Sequence, residues 1–157
     1  MFPLSQTLAD YPLTPAMAAA VHGRVLQVDS RSVKPGDVFV ACQGEYTDGR
    51  NYIAAAIDNG AAFVFWDDDG HFAWQPQWAV PNAGVADLRR RAGLVAAACY
   101  QHPGADMALW GITGTNGKTS ISQWLAQAAD LLGQKCAIMG TVGNGYWQQL
   151  QQSTHTT

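Results

Sequence analysis

The sequence predicts an α/β protein, with a small N-terminal α/β domain followed by the first part of a parallel-sheet domain that carries a phosphate-binding loop. Short apolar runs alternate with helical patterns along the chain, which is typical of parallel sheets. A glycine-rich segment, Gly111–Ser120, lies between an apolar run and a helical pattern, as phosphate-binding loops do. We expect one domain over residues 1–84 and the beginning of the other over residues 85–157.

Turn and helix-stop residues divide the first half into elements. Pro35 and Gly36 predict a turn, because proline presets φ and glycine permits a positive φ. Gly60 ends a helical pattern in which residues recur at positions i, i+3, i+4 and i+7. The expected elements are a helix over 15–22, strands over 24–28 and 38–42, a helix over 51–59, and strands over 62–66 and 78–80.

The second half reads as a strand–loop–helix–strand unit after a long helix over 85–100. Its expected elements are a strand over 107–112, a helix over 120–132 and a strand over 136–140, which predicts parallel pairing through a right-handed crossover. Gly143-Asn144-Gly145 predicts a hairpin turn, with residues 146–150 returning as a strand. Further strands of a nucleotide-binding sheet do not follow, so we expect an N-terminal piece of a longer enzyme.

The phosphate loop has a tighter spacing than the common G-x-x-x-x-G-K-[ST] template. Gly114 and Gly117 let the backbone approach anionic oxygens, because no Cβ intervenes. The ammonium of Lys118 is suited to the β- and γ-phosphates of ATP, and the hydroxyl of Thr119 to Mg²⁺. The alternative is a glycine-rich turn that binds nothing and only joins a strand to a helix. The candidate nucleotide-binding residues are Gly114, Thr115, Asn116, Gly117, Lys118, Thr119 and Ser120.

The composition and the residue patterns argue against a nucleic-acid-binding protein, a membrane-spanning protein and a metal site. The net charge is −3, charged residues make up 13% and the densest basic run, Arg89–Arg91, lies in a helical pattern, so a nucleic-acid partner is not expected. No signal peptide is recognisable and no apolar run approaches the roughly 20 residues of a membrane span. The three cysteines form no C-x-x-C pair and predict reduced thiols in a cytoplasmic protein. For Asp67–Asp69, a solvated acidic turn is favoured over a metal site, because no ligand partners are apparent.

Several segments together resemble the Mur ligases. They are Asp-Ser-Arg at 29–31, Pro-Gly-Asp-Val-Phe-Val-Ala at 35–41, Asp-Gly-Arg at 48–50, the loop Thr-Gly-Thr-Asn-Gly-Lys-Thr at 113–119 and Met-Gly-Thr-Val-Gly-Asn-Gly at 139–145. The loop is shared by all Mur ligases and by folylpolyglutamate synthases. The first-domain segments exclude the folate enzymes, and the segment 139–145 favours the member that adds the third amino acid over its neighbour that adds D-Ala-D-Ala.

The resemblance implies a cytoplasmic, ATP- and Mg²⁺-dependent step of peptidoglycan synthesis. In that step the D-glutamate carboxylate of UDP-MurNAc-L-Ala-D-Glu becomes an acyl phosphate, which the amine of meso-diaminopimelate or L-lysine attacks. The resemblance also places a modified lysine, further Mg²⁺ ligands and an amino-acid-selecting domain after Thr157. We therefore expect the isolated chain to show no ligase turnover. We expect a monomer.

The resemblance also assigns substrate contacts outside the phosphate loop. It implies that Val28, Ser30 and the loop Glu45-Tyr46-Thr47 meet the uridine end of the substrate, and that His155, Thr156 and Thr157 meet the muramoyl-peptide. Other interpretations stay open. Arg31 and Arg50 are candidates either for surface ion pairs or for bidentate contact with the diphosphate. The whole chain is alternatively a non-catalytic UDP-sugar-binding module, another Mur ligase, or a generic phosphate-loop kinase or GTPase.

Overall fold

The computed structural model describes residues 13–152, and the chain divides into two compact units after Met107. The first unit contains a four-stranded, all-parallel sheet whose order is β1-β2-β3-β4, so each strand pairs with its predecessor in sequence. The strands are β1 (Leu26–Gln27), β2 (Val38–Ala41), β3 (Phe63–Asp67) and β4 (Asn82–Val85). Their helices are α1 (Pro15–Val21), α2 (Ile53–Asp58) and α3 (Leu88–Cys99), with short 3-10 turns at Ser30–Ser32, Gly49–Tyr52 and Pro103–Asp106.

Both faces of this sheet are covered, as expected for a parallel sheet. Alternate residues of each strand point to opposite faces. One face packs with α1 and α3 in a core of Val21, Val38, Val40, Phe63, Phe65, Ala83, Val85, Leu88, Val95 and Cys99. The other packs with α2 in a core of Val33, Phe39, Ala41, Ile53, Ala56, Ala61 and Val64.

An aromatic loop over residues 68–81, between β3 and β4, packs against the second core. Trp66, Phe72, Trp74 and Trp78 form successive ring contacts with centroids 5.0 to 6.4 Å apart. The indole N–H of Trp66 also donates to the Asn82 side-chain oxygen at 3.0 Å. The connection therefore covers the sheet with packed aromatic rings instead of a helix.

The strand predicted over residues 78–80 is wrong, and the strand lies instead at Asn82–Val85. Pro81 has no N–H to donate, so the ladder uses its carbonyl, which accepts from the Val64 amide at 3.1 Å. Helix α3 then begins at Leu88 and not at residue 85, because the preceding Asp87 has φ of +57°. The other predicted elements of this unit are present, with ends shifted by at most two residues.

The compact units divide later than the boundary expected after residue 84. Helix α3 accounts for the difference. Leu88, Val95 and Cys99 are fully buried in the first core, so α3 belongs to the first unit and not to the second.

The second unit contains helix α4 (Lys118–Leu131) and the strands β5 (Ala137–Gly140) and β6 (Gly143–Tyr146). The two strands pair antiparallel, with Gly140 opposite Gly143. The sequence predicts parallel pairing between residues 107–112 and 136–140, and this pairing does not occur among the described residues. The described residues contain no strand at 107–112: Leu109 and Trp110 are 75% and 71% exposed, and no described segment pairs with them. A buried parallel strand needs hydrogen-bonding neighbours to form.

The hairpin prediction is also wrong in position. The turn is Thr141-Val142, and Gly143-Asn144-Gly145 lies within β6. Glycine is needed here because the returning chain passes close to β6: a Cβ at Gly143 would lie 2.6 Å from the carbonyl oxygen of Gln151. Among residues 13–152, no helix combines the length and apolar content that crossing a bilayer requires.

Candidate nucleotide-binding sites

The glycine-rich loop of the second unit leads directly into helix α4. Gly117 is the N-cap, with φ of +79°, a conformation that glycine adopts without the Cβ penalty of other residues. No side chain among the described residues caps this helix end. Within the described part of the chain, the backbone N–H groups of residues 114–120 donate no hydrogen bond. A helix N-terminus with unused N–H groups is suited to binding a phosphate.

The Lys118 ammonium lies on the same loop. It donates to the carbonyl oxygen of Gly114 and, at 3.4 Å, to that of Thr115. Both carbonyl groups belong to the exposed loop, so the ammonium stays at its surface. The carbonyl of Thr119 accepts from the Ser122 hydroxyl at 2.8 Å, whereas the Thr119 hydroxyl has no hydrogen bond among the described residues. The loop thus combines amide donors, one cation and a free hydroxyl.

A second candidate site lies in the first unit, at the sheet edge where the carboxyl ends of the parallel strands meet. Val28 follows β1 and is 64% exposed. Ser30 is only 7% exposed, and its carbonyl accepts from the Asn59 side-chain amide at 2.9 Å. Its hydroxyl makes no hydrogen bond with any described residue. A buried hydroxyl without a partner is costly unless a ligand or water satisfies it.

The loop Glu45-Tyr46-Thr47 follows β2, at the same edge. The amide of Gly44 donates to the Thr47 carbonyl at 2.9 Å, and Gln43 pairs with Asp48 in an antiparallel bridge. These contacts form a tight hairpin turn that leaves Tyr46 95% exposed. The structure therefore brings the predicted segments after β1 and β2 to one edge. His155, Thr156 and Thr157 lie outside the described residues.

The two arginines left open by the sequence have different environments. Arg31 is exposed and pairs with Asp29 at 2.8 Å. Arg50 is 7% exposed, and its guanidinium pairs with Asp48 at 2.7 Å and with Asp69 at 2.8 Å. Hydrogen bonds from Arg50 hold the pKa of both carboxyl groups below the ordinary range. Arg50 is thus committed to contacts within the protein, which removes it as a diphosphate ligand.

The three consecutive aspartates serve separate structural contacts. Asp69 pairs with Arg50 and accepts from the amides of His71 and Phe72. Asp67 is buried and accepts from the Leu88 amide at 3.2 Å, at the start of α3. Within residues 13–152, no group of three or more metal-ligating side chains lies together. Because Asp67 is buried and Asp69 forms an ion pair, this segment is more than an acidic turn facing solvent.

Sequence reasoning missed the contacts that Arg50 makes with the loop after β3. The Asp48-Gly49-Arg50 segment was recognised as a family feature, but nothing in the spacing connects residue 50 with residue 69. The local signal was limited to Asp48, whose side chain accepts from the Arg50 amide at 2.9 Å.

A protein-family sequence model described as "Mur ligase family, catalytic domain" matches residues 22–101. The chain belongs to the Mur ligase family. This Mur ligase chain is 60% identical, over all of its length, to UDP-N-acetylmuramoyl-L-alanyl-D-glutamate–2,6-diaminopimelate ligase of Neisseria meningitidis serogroup A, and covers 32% of that relative. It is 58% identical over 132 residues to the protein of the same name from Chromobacterium violaceum, covering 84% of this chain and 27% of that one. The chain therefore spans about a third of the length of these relatives.

Solved structures give the same family. A structure of UDP-N-acetylmuramoyl-L-alanyl-D-glutamate–2,6-diaminopimelate ligase aligns with a TM-score of 0.55 at 32% identity, covering 81% of this Mur ligase chain and 25% of that one. MurF from Thermotoga maritima in complex with ADP aligns with a TM-score of 0.54 at 25% identity, covering 71% and 24% of the two chains. The α/β class and the family predicted from the sequence are confirmed.

Proposed function

We propose that this chain is part of an ATP-dependent ligase that joins diaminopimelate to UDP-N-acetylmuramoyl-L-alanyl-D-glutamate, a cytoplasmic step of peptidoglycan synthesis. The identity of 60% to a relative with this activity in its name supports the choice of substrates. The first unit would bind the uridine end of the acceptor, and the loop of the second unit would bind ATP.

The assignment of ATP rests on the loop before α4. Its amides between residues 114 and 120 have no acceptor within residues 13–152, and Lys118 provides the only full positive charge on the loop, as a phosphate chain requires. The Thr119 hydroxyl is the candidate ligand for Mg²⁺, which when bound neutralises charge on the phosphates. The ADP complex of the related MurF supports nucleotide binding in this family.

The assignment of the uridine end rests on the sheet edge. The buried Ser30 hydroxyl is a donor and acceptor without a partner among the described residues, which suits a polar group of the nucleotide. Val28 offers an exposed apolar surface, and the loop Glu45-Tyr46-Thr47 offers backbone groups and an exposed ring. His155, Thr156 and Thr157 are proposed, from the family resemblance alone, to meet the muramoyl-peptide.

The chemistry explains why the two sites belong to one reaction. A carboxylate is a poor electrophile, and transfer of the γ-phosphoryl group to its oxygen creates a leaving group that the incoming amine displaces. Such a transfer depends on positioning and on neutralising charge. Lys118 and the loop amides are placed to supply both functions to a bound phosphate chain.

The observation that carries the proposal is the free amide cradle with Lys118 at its surface. The test is ligation by the full-length protein carrying Lys118→Ala, with Lys135→Ala as the matched control because it removes the same charge from an exposed residue beyond the other end of α4. Loss of charged hydrogen bonds worth about 1.5–3 kcal/mol each reduces ATP-dependent ligation by about tenfold to a hundredfold or more. Unchanged ligation by Lys118→Ala would contradict the proposal.

Binding measurements separate the remaining alternatives. Calorimetry on the 157-residue chain that detects UDP but no ATP binding would favour a non-catalytic UDP-sugar module. Ligation of D-Ala-D-Ala in place of diaminopimelate by the full-length protein would favour the neighbouring enzyme of the family. The 157-residue chain alone is expected to form no product with ATP, acceptor and diamino acid.

A further inference from the structure

Arg50 is a buried charged side chain whose guanidinium donates hydrogen bonds to Asp48, Asp67 and Asp69. Its Nε donates to both carboxylate oxygens of Asp48 at 3.0 Å, and its Nη2 donates to the same carboxylate at 2.7 Å. Its Nη1 donates to the carbonyl of Asp67 at 3.0 Å and to the carboxylate of Asp69 at 2.8 Å. The planar guanidinium, with donors on two sides, suits two acceptor groups at once.

These bonds join two different loops at the carboxyl edge of the sheet. Asp48 ends the hairpin turn after β2, which contains Glu45-Tyr46-Thr47, whereas Asp67 is the last residue of β3 and Asp69 belongs to the loop after it. The guanidinium carbon also lies 5.0 Å from the centroid of the Phe72 ring, so the aromatic loop covers the cation. Arg50 therefore fixes the turn after β2 to its neighbour through short hydrogen bonds and ion pairs, beside one longer bond of 3.4 Å from the Gln43 amide to the Asp67 carboxylate.

The turn needs such an anchor because its own contacts are few. It is closed by the bond from the Gly44 amide to the Thr47 carbonyl, by the Gln43–Asp48 bridge and by the bond from the Gly49 amide to the Cys42 carbonyl at 2.9 Å. Its tip is exposed to solvent, with Tyr46 95% exposed. The buried position and the multiple acceptors distinguish Arg50 from Arg31, whose side chain is 88% exposed and forms an ion pair with Asp29 only two residues away.

We propose that Arg50 is a positioning residue for uridine-nucleotide binding: by linking Asp48 to Asp69, it holds the turn Glu45-Tyr46-Thr47 in the orientation that receives the nucleotide. This inference rests on the proposed function of the sheet edge. Arg50 acts through the turn and does not touch the nucleotide, because its donors face Asp48, Asp67 and Asp69.

The test is calorimetric titration of the full-length protein with UDP, at a temperature where circular dichroism shows each variant folded. Arg50→Met removes the link and is expected to weaken UDP binding by about tenfold to a hundredfold, which follows if the freed turn adopts the receiving orientation for only about one-tenth to one-hundredth of the time. Asp69→Asn leaves the Asp48–Arg50 pair intact and weakens binding less. Arg50→Lys keeps the charge but not the two-sided geometry, so its affinity lies between those of Arg50→Met and the wild type.

A matched core variant separates positioning from general stability. Val95→Ala creates a cavity in the other core, on α3, and lowers the melting temperature without touching the turn. We expect Val95→Ala to bind UDP as the wild type does. In ligation assays, Arg50→Met is expected to raise KM for the UDP-linked acceptor and to leave KM for ATP unchanged.

The outcomes are distinguishable. Equal UDP affinity of Arg50→Met and the wild type overturns the inference and leaves the proposed function intact. Weakening by Val95→Ala as large as that by Arg50→Met also overturns it, because stability alone would then explain the loss. A wild-type protein that does not bind UDP overturns the proposed assignment of the sheet edge, and the inference with it.

Discussion

Gly49 lies where the chain leaves the turn after β2 and passes close to the end of that strand. A Cβ built at this position would lie 2.6 Å from the carbonyl oxygen of Cys42, 3.0 Å from its amide nitrogen and 3.1 Å from the carbonyl carbon of Ala41. All three are backbone atoms next to the buried end of β2, so none can move aside by a rotamer change. Alanine at position 49 must therefore displace one backbone segment from the other.

The cost of Gly49→Ala follows from two contributions. Overpacking against a fixed backbone costs about 1–3 kcal/mol. The displacement also weakens the bond from the Gly49 amide to the Cys42 carbonyl, worth about 0.5–1.5 kcal/mol. We expect a total loss of about 2–4 kcal/mol, which lowers the melting temperature by on the order of 10 to 20 °C for a unit of this size. Thermal unfolding followed by far-ultraviolet circular dichroism measures it.

Gly93→Ala is the matched control, since it makes the same chemical change in α3. No atom of residues 13–152 lies within 4 Å of a Cβ built at Gly93, and the residue is exposed. The substitution is expected to stabilise the protein by about 0.5–1 kcal/mol through helix propensity. A Gly49→Ala variant that melts with the wild type, or a pair of variants that shift in the same direction by similar amounts, would refute the steric argument.

Three further predictions concern stability and reactivity. Phe65→Ala empties a fully buried position and should cost about 3–5 kcal/mol in urea unfolding. Because hydrogen bonds from Arg50 lower the pKa of Asp48 and Asp69 in the folded state, their stabilisation is present above the unfolded carboxyl pKa of about 3.9 and is lost as the pH falls through the folded values. The difference in melting temperature between wild type and Arg50→Met should therefore shrink below about pH 4; a constant difference would contradict this. Burial raises the pKa of the Cys99 thiol to about 11, so iodoacetamide at about pH 8 should modify it only after urea is added, as mass spectrometry would show.

The parts of the fold predicted best are those with strong local signals. The apolar runs of β2 and β3 and the helix after the phosphate loop appear where expected, because their patterns and flanking glycines act locally. Residues 107–112 have an equally apolar run but form no strand, since a strand depends on partners that no local pattern supplies. The aromatic loop after β3 likewise mimics a strand at residues 78–80, where Trp78 packs against rings and not along a ladder.

The candidate sites show the same division. The residues of the phosphate loop are contiguous, so the sequence alone could identify their order and suggest their chemistry. Ser30 was found through family resemblance, while its burial and unused hydroxyl became visible only in the folded protein. The pairing of Arg50 with Asp69 joins residues from different loops, and such pairs depend on tertiary structure that spacing does not reveal.

The neighbour-by-neighbour strand order of the first unit bears on how the protein is made. Each new strand has its partner already synthesised, so the sheet can grow in step with translation as the chain leaves the ribosome. Once α3 has left the ribosome, helices are available to pack on both faces of the sheet. The glycine-rich loop is translated after the first unit, so the nascent chain would already contain the folded first unit when the loop is synthesised.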